Sequence, residues 1–101
     1  MESNIEKAKT KADKAVAYYE LGLFHDNNGR ESEAIPNYME ALRLGLDTST
    51  KAKALAWMAS SLYKTGHPED ALLCANQAMP LADDDLLKFL KKFQKEVSRM
   101  L

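Results

Sequence analysis

The chain has 101 residues and a mass of 11.3 kDa, the size of one domain built on one hydrophobic core. Its 14 basic and 15 acidic residues give a net charge of -1, which excludes a general attraction to nucleic acid or to an anionic membrane surface. No apolar run approaches the ~20 residues that span a bilayer, the stretch MESNIEKAKTKADK is too polar for a signal peptide, and Cys74 has no second cysteine to pair with, so the expected location is the reducing cytoplasm.

Alanine and leucine each occur 14 times, against 4 for isoleucine and valine together. Such residues lose least in a helix and gain least in a strand, so an all-α fold is expected. The first helix is predicted from Ser3 or Asn4, where Ser3 and Glu6 have the spacing of a capping box, to about Asn28 before Gly29. Residues 1–14 read as a helical extension, because Ile5, Ala8 and Ala12 form only a thin apolar stripe there. A second helix is predicted from Arg30–Ser32 to Arg43 or Leu44, with Gly45 in a left-handed turn. Pro36 falls in its first turn if Ser32 is the cap, and removes a helical hydrogen bond if the helix starts earlier.

Asp47 or Thr48 is expected to cap a third helix running to about Thr65 and closed by Gly66. Pro68, Glu69 and Asp70 suit the first turn of a fourth, which ends near Met79 because Pro80 disfavours a helical residue before it. Asp83, Asp84 and Asp85 then open a fifth helix whose apolar residues Leu86, Leu90, Phe93, Val97 and Met100 share one face. Lys88, Lys91, Lys92, Lys95 and Arg99 form its solvated side, and its greasy face is expected to cover the end of the fold.

The strongest signal is internal repetition. LGLFHDNNGRESEAIPNYMEAL and MASSLYKTGHPEDALLCANQAM superimpose at a constant offset of 37 residues, aligning Tyr18 with Leu55, Leu21 with Met58, Gly22 with Ala59, Gly29 with Gly66, Ala34 with Ala71, and Ala41 with Ala78. Small residues fall on small ones and large apolar residues on large ones, which describes two copies of one helical hairpin. This pattern resembles the tetratricopeptide repeat, including small bacterial members of that family. The resemblance rests on Tyr18, Leu21, Gly22, Gly29, Ala34, Tyr38 and Ala41 in one copy, and on Leu55, Met58, Ala59, Leu62, Gly66, Ala71 and Ala78 in the other. His25, Ala75, Leu46 and Asp83 depart from the family pattern. The expected architecture is a right-handed stack of helical hairpins, an α-solenoid of about five helices: repeat 1 over residues 15–48, repeat 2 over 52–82, and a capping helix over 83–101.

The resemblance implies that a peptide or helix of another protein docks on the concave face lined by the first helix of each hairpin. Val16, Tyr19, Leu23 and Asp26 are expected there from the first hairpin, and Lys53, Ala56, Trp57, Ser60, Tyr63 and Lys64 from the second. Tyr19, Trp57 and Tyr63 are the expected anchors, since aromatic side chains bury much area at little rotamer cost; Trp57 and Tyr63 suit core packing equally well. Some family members grip the carboxylate tail of heat-shock chaperones through lysine, asparagine and arginine. No asparagine is expected on the inner face, and Leu23, Trp57 and Tyr19 stand where two asparagines and a lysine belong, which disfavours that partner.

No paired acids with a histidine, nucleophile with its base, phosphate loop or metal-ligand spacing stands out, so the chain is expected to be non-catalytic, without cofactor or metal. His25 is expected as a hydrogen-bonded core histidine, His67 as a cap, Cys74 as an inert thiol, and Asp83–Asp85 as a helix cap rather than a calcium site. The expected function is a protein-interaction scaffold. The alternative is a self-assembly module forming a homodimer through exposed repeat edges, because two repeats fall short of the ~3 that bury a continuous core.

Overall fold

A computed structural model describes residues 10–101 of the protein. Its helices are α1 (Lys11–Asn27), α2 (Glu31–Leu44), α3 (Thr48–Lys64), α4 (Pro68–Ala78) and α5 (Asp84–Met100), with a 3-10 turn at Met79–Leu81 before α5. The described residues contain no strand.

Each boundary has a local cause. Thr10 is extended, with φ -115° and ψ 164°, and its side chain accepts a 3.0 Å hydrogen bond from the Asp13 N–H. A helix running unbroken from Ser3 is therefore corrected: α1 opens at Lys11, because the Thr10 hydroxyl satisfies an otherwise unpaired first-turn donor. The proposed Ser3–Glu6 capping box lies outside the described residues. Asp47 and Asp83 cap α3 and α5 in the same way, each accepting from the backbone N–H three residues on at 2.8 Å. Gly29 and Gly66 close the first helix of each hairpin at φ values of 71° and 87°, which a side chain would strain.

Two local expectations change, and one alternative left open by the sequence is decided. Gly45 has the positive φ foreseen for it, 105°, but its ψ of 113° lies well outside the left-handed helical region. Arg30, not Ser32, occupies the cap of α2, so Pro36 sits inside the helix and leaves the Ser32 carbonyl without its usual helical donor. Met79 keeps helical angles of φ -53° and ψ -49° although Pro80 follows, and the chain tightens into a 3-10 turn before Ala82 becomes extended.

The helices pack in sequence: α1 on α2, α2 on α3, α3 on α4, and α4 on α5. The result is an elongated body of 43 × 25 × 19 Å. Ala34, Ala41, Ala71 and Ala78, the paired small residues of the two repeats, are all fully buried. Their methyl groups let the backbones of adjacent helices approach closely. The core combines Ala34, Tyr38, Leu55, Ala56, Met58, Ala59, Ala75, Ala78 and Leu90. Leu90 and Val97 bring α5 against the stack; burying a side chain such as Leu90 contributes about 1.5–3 kcal/mol. Met100, which the apolar spacing assigns to the same face, is exposed.

Candidate functional site

The inner ends of α1, α3 and α5 enclose a groove of about 410 Å³ lined by Leu23, Asp26, Asn27, Trp57, Ser60, Lys64 and Phe89. The structure thus gathers five residues singled out in the sequence: Leu23, Asp26, Trp57, Ser60 and Lys64. They meet because positions three and four apart on α1 and α3 share a face.

The other five sit elsewhere. Val16 is exposed on α1. Tyr19 is partly buried against the core, its ring centroid 6.1 Å from that of Tyr38. Burial pushes its phenol above the ordinary tyrosine range, with the neighbouring Trp57 side chain acting in the opposite direction. Tyr63 stands edge-on to Phe93, with centroids 6.0 Å apart. Lys53 borders a second cleft, of about 310 Å³, with Asp83 and Leu86. Ala56, expected on the inner face, is completely buried in the core.

Two groove residues escaped sequence reasoning. Asn27 contradicts the expectation that no asparagine reaches the inner face: it follows Leu23 by four residues on α1, and that spacing was sufficient to place it. Phe89 carried no such signal. It enters only because α5 docks beside α3, where its ring meets Trp57 edge to face with centroids 5.7 Å apart. Phe89 also stacks with Phe93 at 6.0 Å, so an aromatic row runs from Trp57 through Phe89 and Phe93 to Tyr63.

Asp26 joins the groove to the core. Its Oδ2 accepts from the Tyr38 hydroxyl at 2.8 Å, and its Oδ1 accepts from the Ser61 hydroxyl at 3.2 Å. Ser61 is fully buried on α3, so one carboxylate ties α1 to both α2 and α3. Burial, then the hydrogen bond and charge of Asp26, push the Tyr38 phenol far above its ordinary range. Lys64 Nζ lies 4.0 Å from Glu31 Oε1 at the edge of the groove.

The remaining reactive groups lie apart from the groove. His25 Nδ1 is 3.2 Å from Arg30 Nε and 3.1 Å from Glu33 Oε2, while the Arg30 guanidinium lies over the Phe24 ring at 5.3 Å. His67 occupies the cap position of α4, as expected, but makes no side-chain capping bond; its Nδ1 instead faces the Thr65 hydroxyl at 3.2 Å. Burial, with Asp70 nearby, raises the Cys74 thiol above its ordinary range. Among the described residues, no group of three histidine, cysteine or acidic side chains is placed to hold a metal, and no helix is long and apolar enough to cross a membrane.

Comparison with known proteins adds two positive findings. The model of the tetratrico peptide repeat family matches residues 15–97. The photosystem I assembly protein Ycf3 of Synechococcus sp. (strain CC9902) is 35% identical over 65 residues, covering 64% of this chain and 38% of that protein, so the chain spans well under half of the relative's length. No solved structure matches the chain.

Proposed function

Because the chain belongs to the tetratricopeptide repeat family, we propose that it is a non-catalytic scaffold holding a peptide or helix of another protein in the groove between α1, α3 and α5. Family membership carries the protein-interaction role; the groove is our assignment within it. One observation supports it above the others: apolar Leu23, Trp57 and Phe89 and polar Asp26, Asn27, Ser60 and Lys64 line one concavity across three helices. Such a mixture of aromatic area and convergent polar groups suits a binding cleft. The likeness to an assembly protein is in keeping with a role in holding other polypeptides.

The test must spare the fold, and Tyr19 and Trp57 both pack against the core. Ser60→Arg fills the groove without removing a core side chain, and Leu73→Ala, at a leucine 60% exposed on α4, serves as the control. Affinity capture followed by mass spectrometry is expected to recover the same partner with wild type and Leu73→Ala, and to lose it with Ser60→Arg at an unchanged melting temperature. Retention of that partner by Ser60→Arg overturns the groove assignment.

A second reading, self-assembly into a homodimer through exposed repeat edges, is favoured by exposed apolar side chains on the first hairpin, with Val16 46% and Met39 58% accessible. Sedimentation equilibrium distinguishes it: a dimer that dissociates in a Val16→Glu, Met39→Glu variant supports self-assembly, and a monomer at all concentrations removes it.

A further inference from the structure

The charge pattern of the groove points to what its partner presents. Asp26 brings a carboxylate into the lining, and among the described residues no basic nitrogen pairs with it within 4.0 Å. Its two hydrogen bonds come from the neutral hydroxyls of Tyr38 and Ser61, which orient the carboxylate without cancelling its charge. Each oxygen keeps a further lone pair. Lys64 is the one cation in the lining, and its ammonium lies toward Glu31 at 4.0 Å, so Asp26, Glu31 and Lys64 together leave one negative charge. The lysines on either side belong to other clefts: Lys53 with Asp83, and Lys92 with Glu96.

Beside this carboxylate stand two aromatic rings, Trp57 and Phe89, with the side chains of Asn27 and Ser60 as neutral acceptors. Ring faces attract cations, and a carboxylate in a partly desolvated cleft does so more strongly. An anionic partner group would meet Asp26 unfavourably.

From this juxtaposition we propose that the groove receives an arginine side chain of the partner protein, its guanidinium donating to Asp26 and stacking on Trp57. The inference rests on the groove reading above and names the chemistry recognised there. Arginine suits the site better than lysine because its planar fork of donors serves a carboxylate and neighbouring acceptors at once, and its flat face stacks on an indole.

The test uses the whole chain, 15N-labelled, titrated with three N-acetylated, C-amidated tripeptides: Ala-Arg-Ala, Ala-Lys-Ala and Ala-Glu-Ala. The arginine tripeptide is expected to move the Trp57 indole and Ser60 amide resonances along a saturable curve, about tenfold tighter than lysine, with no response to glutamate. Lys64→Gln, which removes the competing cation from an exposed position, is expected to tighten arginine binding and leave the melting temperature unchanged. Equal responses to arginine and lysine, a tighter response to glutamate, or no saturable shift with arginine each overturn the proposal. When the last result accompanies loss of partner capture by Ser60→Arg, only the arginine assignment falls. Arginine binding alongside undiminished capture by that variant overturns both readings.

Discussion

Gly22 on α1 lies against the ring of Tyr38 on α2: a Cβ on that glycine would stand 2.6 Å from Tyr38 Cε1 and 2.7 Å from Cδ1. The second hairpin solves the same contact with two alanines, since Ala59 and Ala75 occupy the equivalent positions and both are fully buried. Size is exchanged across the helix pair, glycine with tyrosine in one copy and alanine with alanine in the other. This exchange is possible because close packing constrains the summed volume at a crossing more than either residue separately.

The contact makes Gly22→Ala a sharp probe. Alanine favours a helix by about 1 kcal/mol over glycine, but here it meets a ring held in place by its hydrogen bond to Asp26. Overpacking costs about 1–3 kcal/mol, so the variant is expected to unfold at lower denaturant concentration than wild type. An increase in stability would show that the ring can move aside.

Ala34 and Ala71 test the same principle in both repeats, for each is 0% exposed at a helix crossing. Replacing either by leucine is expected to destabilise by about 1–3 kcal/mol, a melting-temperature drop of several degrees in a domain of this size. Leucine at Met39, which is 58% exposed, is expected to leave the melt unchanged.

Alkaline stability reports on Tyr38. Burial first, and then Asp26, raise its folded-state phenol above the ordinary 10.0, so the unfolded chain releases that proton more readily. The resulting stabilisation is fully present below pH 10.0 and is lost as the pH rises beyond it. Tyr38→Phe is expected to cost about 1 kcal/mol at neutral pH, through the lost hydroxyl donor to Asp26, and to flatten the alkaline decline in urea melts. An equally steep decline in the variant would assign it to other groups.

Cys74 offers a chemical check. Its raised thiol holds less thiolate than free cysteine at neutral pH, and burial slows access further. Its reaction with a disulfide reagent at pH 7 is expected to be slower than that of a cysteine-containing peptide, reaching the peptide rate once the chain is unfolded in urea.

Several features were legible before any tertiary contact was known. The offset pairing Ala34 with Ala71 and Gly29 with Gly66 identified a repeated hairpin, and the aspartates at 47 and 83 marked helix starts, because capping acts within one turn. Leu23 and Asp26 on α1, and Trp57, Ser60 and Lys64 on α3, share faces by helical period alone. Two local signals yielded to their surroundings. The Thr10 cap breaks a helix read as continuous from Ser3, and a proline's bias on its neighbour is small enough for a packed chain to override.

By itself, then, the sequence determined that this chain forms paired helices with small residues at their crossings, since those preferences are local or repeat at a fixed spacing. The tertiary structure decided that Phe89 completes the groove, that Ala56 is withdrawn from it, and that Asp26 is bonded to Tyr38 and Ser61 across three helices. Those outcomes depend on how distant helices rotate and dock against one another, which is set by the fit of whole surfaces and leaves no trace in the spacing along any one of them.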